Sequence, residues 1–135
     1  MTIYLDTSAA VKLVKPEAET PALVRFLGAR RGTAPTVGLV ASDLLVTELV
    51  GTVLQAGLPV AAALRVVDAV VLFRMSPQIC EAAGTLVGQL GVRSLDALHL
   101  ATAVSQRSHL TALVSYDRRL ADAAESLGLR VESPS

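Results

Sequence analysis

Residues 3–14 read I-Y-L-D-T-S-A-A-V-K-L-V, and their reading decides the fold. Ile3-Tyr4-Leu5 is apolar without polar alternation, the pattern of a strand buried on both faces. Asp6 interrupts, and apolar residues at helical spacing follow from Thr7 to Val14. A buried strand running straight into a helix is the repeating unit of an α/β sheet. Farther along, Val37 to Ala41 reads as a strand, and Asp43 to Gln55 as a long apolar helix ended by Gly57 and Pro59. Residues 19–30, Val60 to Asp68, Pro77 to Leu90 (closed by Gly91) and Asp117 to Leu127 (closed by Gly128) read as further helices. Val70 to Phe73, Leu113 to Ser115 and Arg130 to Glu132 complete the strands. The alternation predicts an α/β sandwich around a mainly parallel sheet. In such folds ligands bind in the crevice beyond the strands' carboxyl ends.

The totals narrow the class. A chain of 135 residues is expected to form a single domain, 1–135, with a real core. Hydrophobic residues make up 52% and charged ones 18%, which argues against disorder. The mean hydropathy of +0.53 exceeds what one small core can absorb, and points to a surface for self-association or a partner. The longest uncharged run, Leu49 to Leu64, contains Gly51, Gln55, Gly57 and Pro59 and is too short to span a bilayer. No signal peptide or membrane segment is expected, since Asp6 breaks the first apolar run. Cys80 is the sole cysteine, so there is no internal disulfide and no cysteine-based zinc site. It reads as a small core residue, and a cytoplasmic protein is expected. Twelve Lys plus Arg balance twelve Asp plus Glu, a total that neither favours nor excludes nucleic acid.

A second stretch poses a chemical question. Residues 93–103, R-S-L-D-A-L-H-L-A-T-A, read as a helix with Ser94 at its N-cap and apolar side chains nearly all round. Such a helix is buried, yet it carries Asp96, and burying an unpaired charge costs about several kcal/mol. Glu48 lies midway along another apolar helix, D-L-L-V-T-E-L-V-G-T-V-L, where no capping role is open to it. Its bland explanation is a solvated edge shared with Thr52 and Gln55. Asp6 and Asp117 each follow a strand, and each has the bland explanation of an N-cap. If both end parallel strands, however, they face one crevice that Asp96 and Glu48 also reach. Carboxylates confined together raise one another's pKa unless a cation joins them. Mg²⁺ or Mn²⁺ fits an all-oxygen site, and such an ion polarises a phosphodiester and activates water.

These fragments together resemble the PIN-domain ribonucleases, and among them the VapC toxins of bacterial toxin–antitoxin pairs. The likeness rests on I-Y-L-D-T-S-A, V-T-E-L, L-D-A-L-H-L-A-T-A and L-V-S-Y-D-R-R-L, in that order, across nearly the whole chain. The resemblance implies a PIN-like three-layer α/β/α sandwich. It implies that Asp6, Glu48, Asp96 and Asp117 form an acidic quartet holding one or two Mg²⁺ or Mn²⁺ ions, with Asp6 and Asp96 as principal ligands. Thr7 or Ser8, and Ser115, match positions whose hydroxyls orient an acid or a water. The implied activity is endonucleolytic RNA cleavage by metal-activated water. The implied partners are a second copy of the chain, as a homodimer, and a VapB-type antitoxin.

Other residues have plainer roles open to them. His99 reads as a packed, hydrogen-bonded core histidine, and His109 as surface. Arg118 and Arg119 either meet a phosphate or are solvated helix charge. Arg30-Arg31-Gly32 reads as a basic turn, and Tyr116 is the sole aromatic beside an acid. Two alternative functions remain open on the residues: a PIN-like module that binds without catalysis, and a Mg²⁺-dependent phosphoacceptor domain. The second needs a lysine late in the chain, whereas the only lysines are Lys12 and Lys15.

Overall fold

The computed structural model describes residues 2–33 and 38–135, with the backbone alone for 29–33. Five strands, β1 (Thr2–Leu5), β2 (Gly38–Ser42), β3 (Val70–Phe73), β4 (Leu110–Val114) and β5 (Val131–Glu132), form one sheet in the order β3-β2-β1-β4-β5. Every pairing is parallel. Between the strands run α1 (Thr7–Val14), α2 (Thr20–Thr33), α3 (Leu44–Gln55), α4 (Val60–Asp68), α5 (Pro77–Leu90), α6 (Ser94–Ser105) and α7 (Arg118–Ser126).

The period-2 geometry of the strands sorts the helices into two layers. Ile3, Leu5, Leu39, Ala41 and Val70 point to one face, against Ala9, Leu23, Leu45, Leu49 and Ala63 of α1 to α4. Tyr4, Val40 and Leu113 point to the other, against Leu100 and Ala103 of α6 and Leu120 and Ala124 of α7. Helix α5 lies outside α6, through Ala83 against Ala97 and Ala101. Each fully buried Leu or Ile contributes about 1.5–3 kcal/mol relative to an exposed one. The three-layer sandwich with a parallel sheet is therefore as expected.

Strand order explains the two layers and locates the crevice. From β1 the chain steps outward to β2 and β3, then crosses back to β4 and on to β5. Right-handed crossovers put helices on opposite faces for opposite directions of travel. The reversal point lies between β1 and β4, where Leu5 pairs with Val114 and the Asp6 N–H donates to the Val114 carbonyl at 3.1 Å. A crevice opens at such a switch point.

Several local expectations need correction. The strand read from Leu113 starts at Leu110, because Leu110 to Ala112 pair with β1 along a slightly irregular register. Ser94 is the first residue of α6 and Arg93 its N-cap, without a side-chain cap bond. Val37, read as part of the second strand, lies outside the described residues. The basic turn read at Arg30-Arg31-Gly32 is helical backbone within α2. Cys80 is exposed on α5, not packed in the core, since α5 is an outer helix that packs on α6 through Ala83. Leu95 is also half exposed, at 50%, so α6 is not buried all round. No helix among the described residues is long and apolar enough to cross a membrane.

Candidate active site

Asp6 occupies the switch point itself. It is the N-cap of α1, as its bland explanation required, with its carboxylate accepting from the Ser8 N–H at 3.3 Å. The same oxygen, Oδ2, also accepts from Ser8 Oγ at 2.6 Å and Ser115 Oγ at 2.9 Å. Ser115 follows β4 and Ser8 opens α1, so hydroxyls from both sides of the reversal converge on one oxygen. Three donors fix the carboxylate's rotamer at a site only 5% exposed. Capping and a role in the crevice are therefore compatible, because only one oxygen is used. Asp117 repeats the pattern at α7, its Oδ1 accepting from the Arg119 and Leu120 N–H groups at 3.0 and 3.2 Å.

Glu48 is not a solvated edge residue. From the middle of α3 it reaches back across β1, where its Oε1 accepts from Thr7 Oγ1 at 2.8 Å and lies 2.6 Å from His99 Nε2. Burial raises its pKa, but the hydrogen bond and charge of His99, with Thr7, outweigh this and hold it below the ordinary carboxylate range. His99 itself is buried in α6, with Nδ1 2.8 Å from the Tyr4 hydroxyl. The Tyr4 oxygen also accepts from the Ser42 N–H at 3.1 Å, so a neutral His99 takes the Tyr4 proton at Nδ1, while a charged one donates from both ring nitrogens. In either state Nε2–H donates to Glu48, forming a chain from β2 through β1 and α6 to α3. Burial lowers the His99 pKa, while Glu48, Asp6 and Asp96 raise it, and the net shift is upward.

Asp96 is the exception among the acids. Its carboxylate makes no hydrogen bond or ion pair among the described residues, although it is partly buried on the first turn of α6. Burial, then the charges of Asp117 and Asp6, push its pKa up, with Arg93 and His99 opposing. Asp117 and Asp6 are therefore near enough to be felt at Asp96, which is electrostatic proximity across three elements.

The donor set suits a hard divalent ion in its chemistry. Among the described residues Asp6, Glu48 and Asp117 each keep one carboxylate oxygen without a hydrogen-bond donor, and Asp96 keeps both. The acids do not form a closed cage, since among the described residues no three His, Cys, Asp or Glu side chains are grouped tightly enough to hold a metal ion outright. Carboxylate oxygens are the donors that Mg²⁺ takes, with few direct protein bonds and several retained waters.

The sequence singled out the hydroxyls Thr7, Ser8 and Ser115, and the fold places Thr7 on Glu48 and the two serines on Asp6. It left His99 outside the site, as a packed histidine, and His99 is indeed packed; its partner, however, is Glu48. The signal was a histidine one helical turn from Asp96, and linking it to Glu48 required the tertiary structure. Tyr116 spends its hydroxyl on the Pro134 carbonyl at 2.7 Å and its ring face on Lys12, 4.7 Å from the centroid, and so is not free for stacking. His109, Arg118 and Arg119 are exposed.

An acidic crevice at the reversal of a parallel sheet is the general ligand-binding place of open α/β proteins. A model of the PIN domain matches residues 3–126, and the chain belongs to that family. Ribonuclease VapC46 of Mycobacterium tuberculosis is 38% identical over 134 residues, covering 98% of each chain. Ribonuclease VapC35 of the same species is 41% identical over 138 residues, covering 98% of this chain and 96% of that one. Among solved structures, VapBC2 from Rickettsia felis, bound to a DNA fragment from its promoter, aligns with a TM-score of 0.73 at 15% identity over 100% of both chains. VapBC-1 from nontypeable Haemophilus influenzae aligns with a TM-score of 0.71 at 17% identity over 98% of each. At those identities the structural likeness speaks for the fold.

Proposed function

We propose that this chain acts, as a single PIN domain over 1–135, as an endoribonuclease and as the toxin of a type II toxin–antitoxin pair in the cytoplasm. The observation that carries the reading is Asp96, a partly buried carboxylate with no hydrogen bond or ion pair among the described residues, whose pKa is raised by burial and by Asp117 and Asp6. The ribonuclease names of near full-length relatives supply the reaction class.

In this reading Asp6, Glu48, Asp96 and Asp117 hold Mg²⁺ or Mn²⁺, with Asp6 and Asp96 as principal ligands. The bound ion supplies polarisation of the scissile phosphodiester and a water of lowered pKa. The chain's own part is to present oxygens at fixed positions. Ser8 and Ser115 hold the Asp6 carboxylate still, and Thr7 with His99 holds Glu48. Each anchored carboxylate turns one oxygen to its donors and leaves the other for the ion or its waters.

The partner surfaces follow the apolar excess. An apolar cleft of about 490 Å³ between α1, α2 and α4, lined by Leu13, Val24, Leu27 and Val66 among others, suits apolar side chains of an antitoxin. Exposed Leu54, Val60 and Leu64 on α3 and α4 suit a homodimer contact.

The test is cleavage of RNA by the antitoxin-free protein with Mn²⁺ or Mg²⁺, with and without EDTA. Asp96→Asn is expected to lower the rate by about 10²-fold or more while the fold survives. Full, EDTA-sensitive activity in Asp96→Asn would remove Asp96 from the site.

A further inference from the structure

A groove of about 460 Å³ opens beside Asp96 and runs between the α5–α6 turn and the exposed side of α7. Val92 and Ala123 give it an apolar floor, and Arg93 and Arg119 line it from opposite elements. Neither guanidinium has a hydrogen bond or ion pair among the described residues. Lys12, Arg130 and Arg107 are engaged, with Glu17 and Glu19, with Glu132 and with the Leu127 carbonyl. Lys15, Arg25, Arg65, Arg74 and Arg118 are also without a hydrogen bond or ion pair among the described residues, and what sets Arg93 and Arg119 apart is their place beside Asp96. Asp122 shares the groove one turn after Arg119 and pairs with neither arginine.

We propose that this groove carries the phosphates of the RNA strand adjacent to the cleaved bond, with Arg93 and Arg119 each taking one. The planar fork of a guanidinium suits phosphate oxygens, and an unpaired arginine has no intramolecular bond to give up on binding. Position supplies the rest, because Asp96 belongs both to the groove's lining and to the reacting site. A strand lying along the groove therefore passes directly into the acids. With Asp96 committed to a cation, the groove's remaining charge is net positive. The proposal rests on the ribonuclease reading above, and its test separates the two.

Binding of a short single-stranded RNA is measured by fluorescence anisotropy in EDTA, over a range of salt, for the wild type and Arg93→Gln/Arg119→Gln. Affinity at low salt is expected to fall about tenfold or more. The slope of log affinity against log salt is expected to become shallower by about 1.4, from about 0.7 per single-strand phosphate contact. With Mn²⁺ present, KM for RNA rises while kcat changes little. Mn²⁺ affinity has the opposite sign: Arg93 opposes cation binding near Asp96, so its loss leaves Mn²⁺ binding equal or tighter. Arg107→Gln/Arg130→Gln removes equal charge from the strands' amino ends, away from the crevice, and is expected to bind RNA nearly as the wild type does. Equal losses in the two double variants would reduce the effect to net charge and overturn the proposal. So would unchanged RNA binding with loss of binding to the antitoxin, which would make the groove a protein-docking surface. A wild type that neither binds nor cuts RNA overturns the ribonuclease reading instead.

Discussion

Replacing His99 with leucine tests the chain of hydrogen bonds that crosses the molecule. In the native protein Ser42 N–H donates to Tyr4, Tyr4 meets His99 Nδ1 at 2.8 Å, and His99 Nε2 lies 2.6 Å from Glu48. Leucine fills much of the same volume but accepts and donates nothing. The fully buried Tyr4 hydroxyl then loses its ring partner, at a cost of about 1–3 kcal/mol. Loss of the bond to the Glu48 carboxylate adds about 1.5–3 kcal/mol. The sum, about 2.5–6 kcal/mol, is a large part of a typical total of about 5–15 kcal/mol. At about 3–5 °C per kcal/mol for a chain of this size, Tm falls by about 8–30 °C. Tyr4→Phe alone costs about 1–3 kcal/mol by stranding Nδ1 and the Ser42 N–H. In the double variant the Tyr4 hydroxyl no longer exists to be stranded, so the combined loss is smaller than the sum by about 1–2 kcal/mol. Urea unfolding of the four proteins in EDTA measures this coupling. Strict additivity, within about 0.5 kcal/mol, would refute the chain.

Opposite signs are expected from two acids of the same site. The folded-state pKa of Asp96 is raised, so its ionised form destabilises the metal-free protein above the ordinary carboxylate range. Asp96→Asn should therefore melt higher than the wild type at neutral pH in EDTA, and the advantage should vanish as pH falls below that range. The pKa of Glu48 is lowered, so its ionised form stabilises above the unfolded value, and the benefit is lost as pH falls through the folded one. Glu48→Gln should melt lower at neutral pH, and thermal melts of both variants from pH 3 to 8 would expose equal signs if the contrast is mistaken. Ser8→Ala and Ser115→Ala each remove one donor from Asp6 Oδ2 and should destabilise by about 1–2 kcal/mol. Both should also weaken Mn²⁺ binding in a calorimetric titration, and unchanged Mn²⁺ affinity would separate the serines from the metal-holding role proposed for Asp6.

Local physics made the elements legible before any coordinates. Val60 to Asp68, Val70 to Phe73 and Pro77 to Leu90 begin and end as read, because proline, Ser76 and Gly91 are chemical stops that act over a few residues. Gly91 closes α5 with a φ of 65°, a conformation that glycine adopts without strain. The acids were legible too, since a carboxylate amid apolar neighbours is out of place on sequence alone. Partnership was not legible. Hydrogen bonds joining residues 4 to 99, 48 to 99 and 6 to 115 depend on strand order, and the reversal between β1 and β4 is what brings those segments together. Only the folded chain could show that Asp6 caps a helix with one oxygen and keeps the other without a hydrogen-bond donor among the described residues. Only it could turn His99 from one more core residue into the support of Glu48. Side-chain type and spacing act within a turn or two of backbone; which distant groups meet is decided by how the sheet is wound.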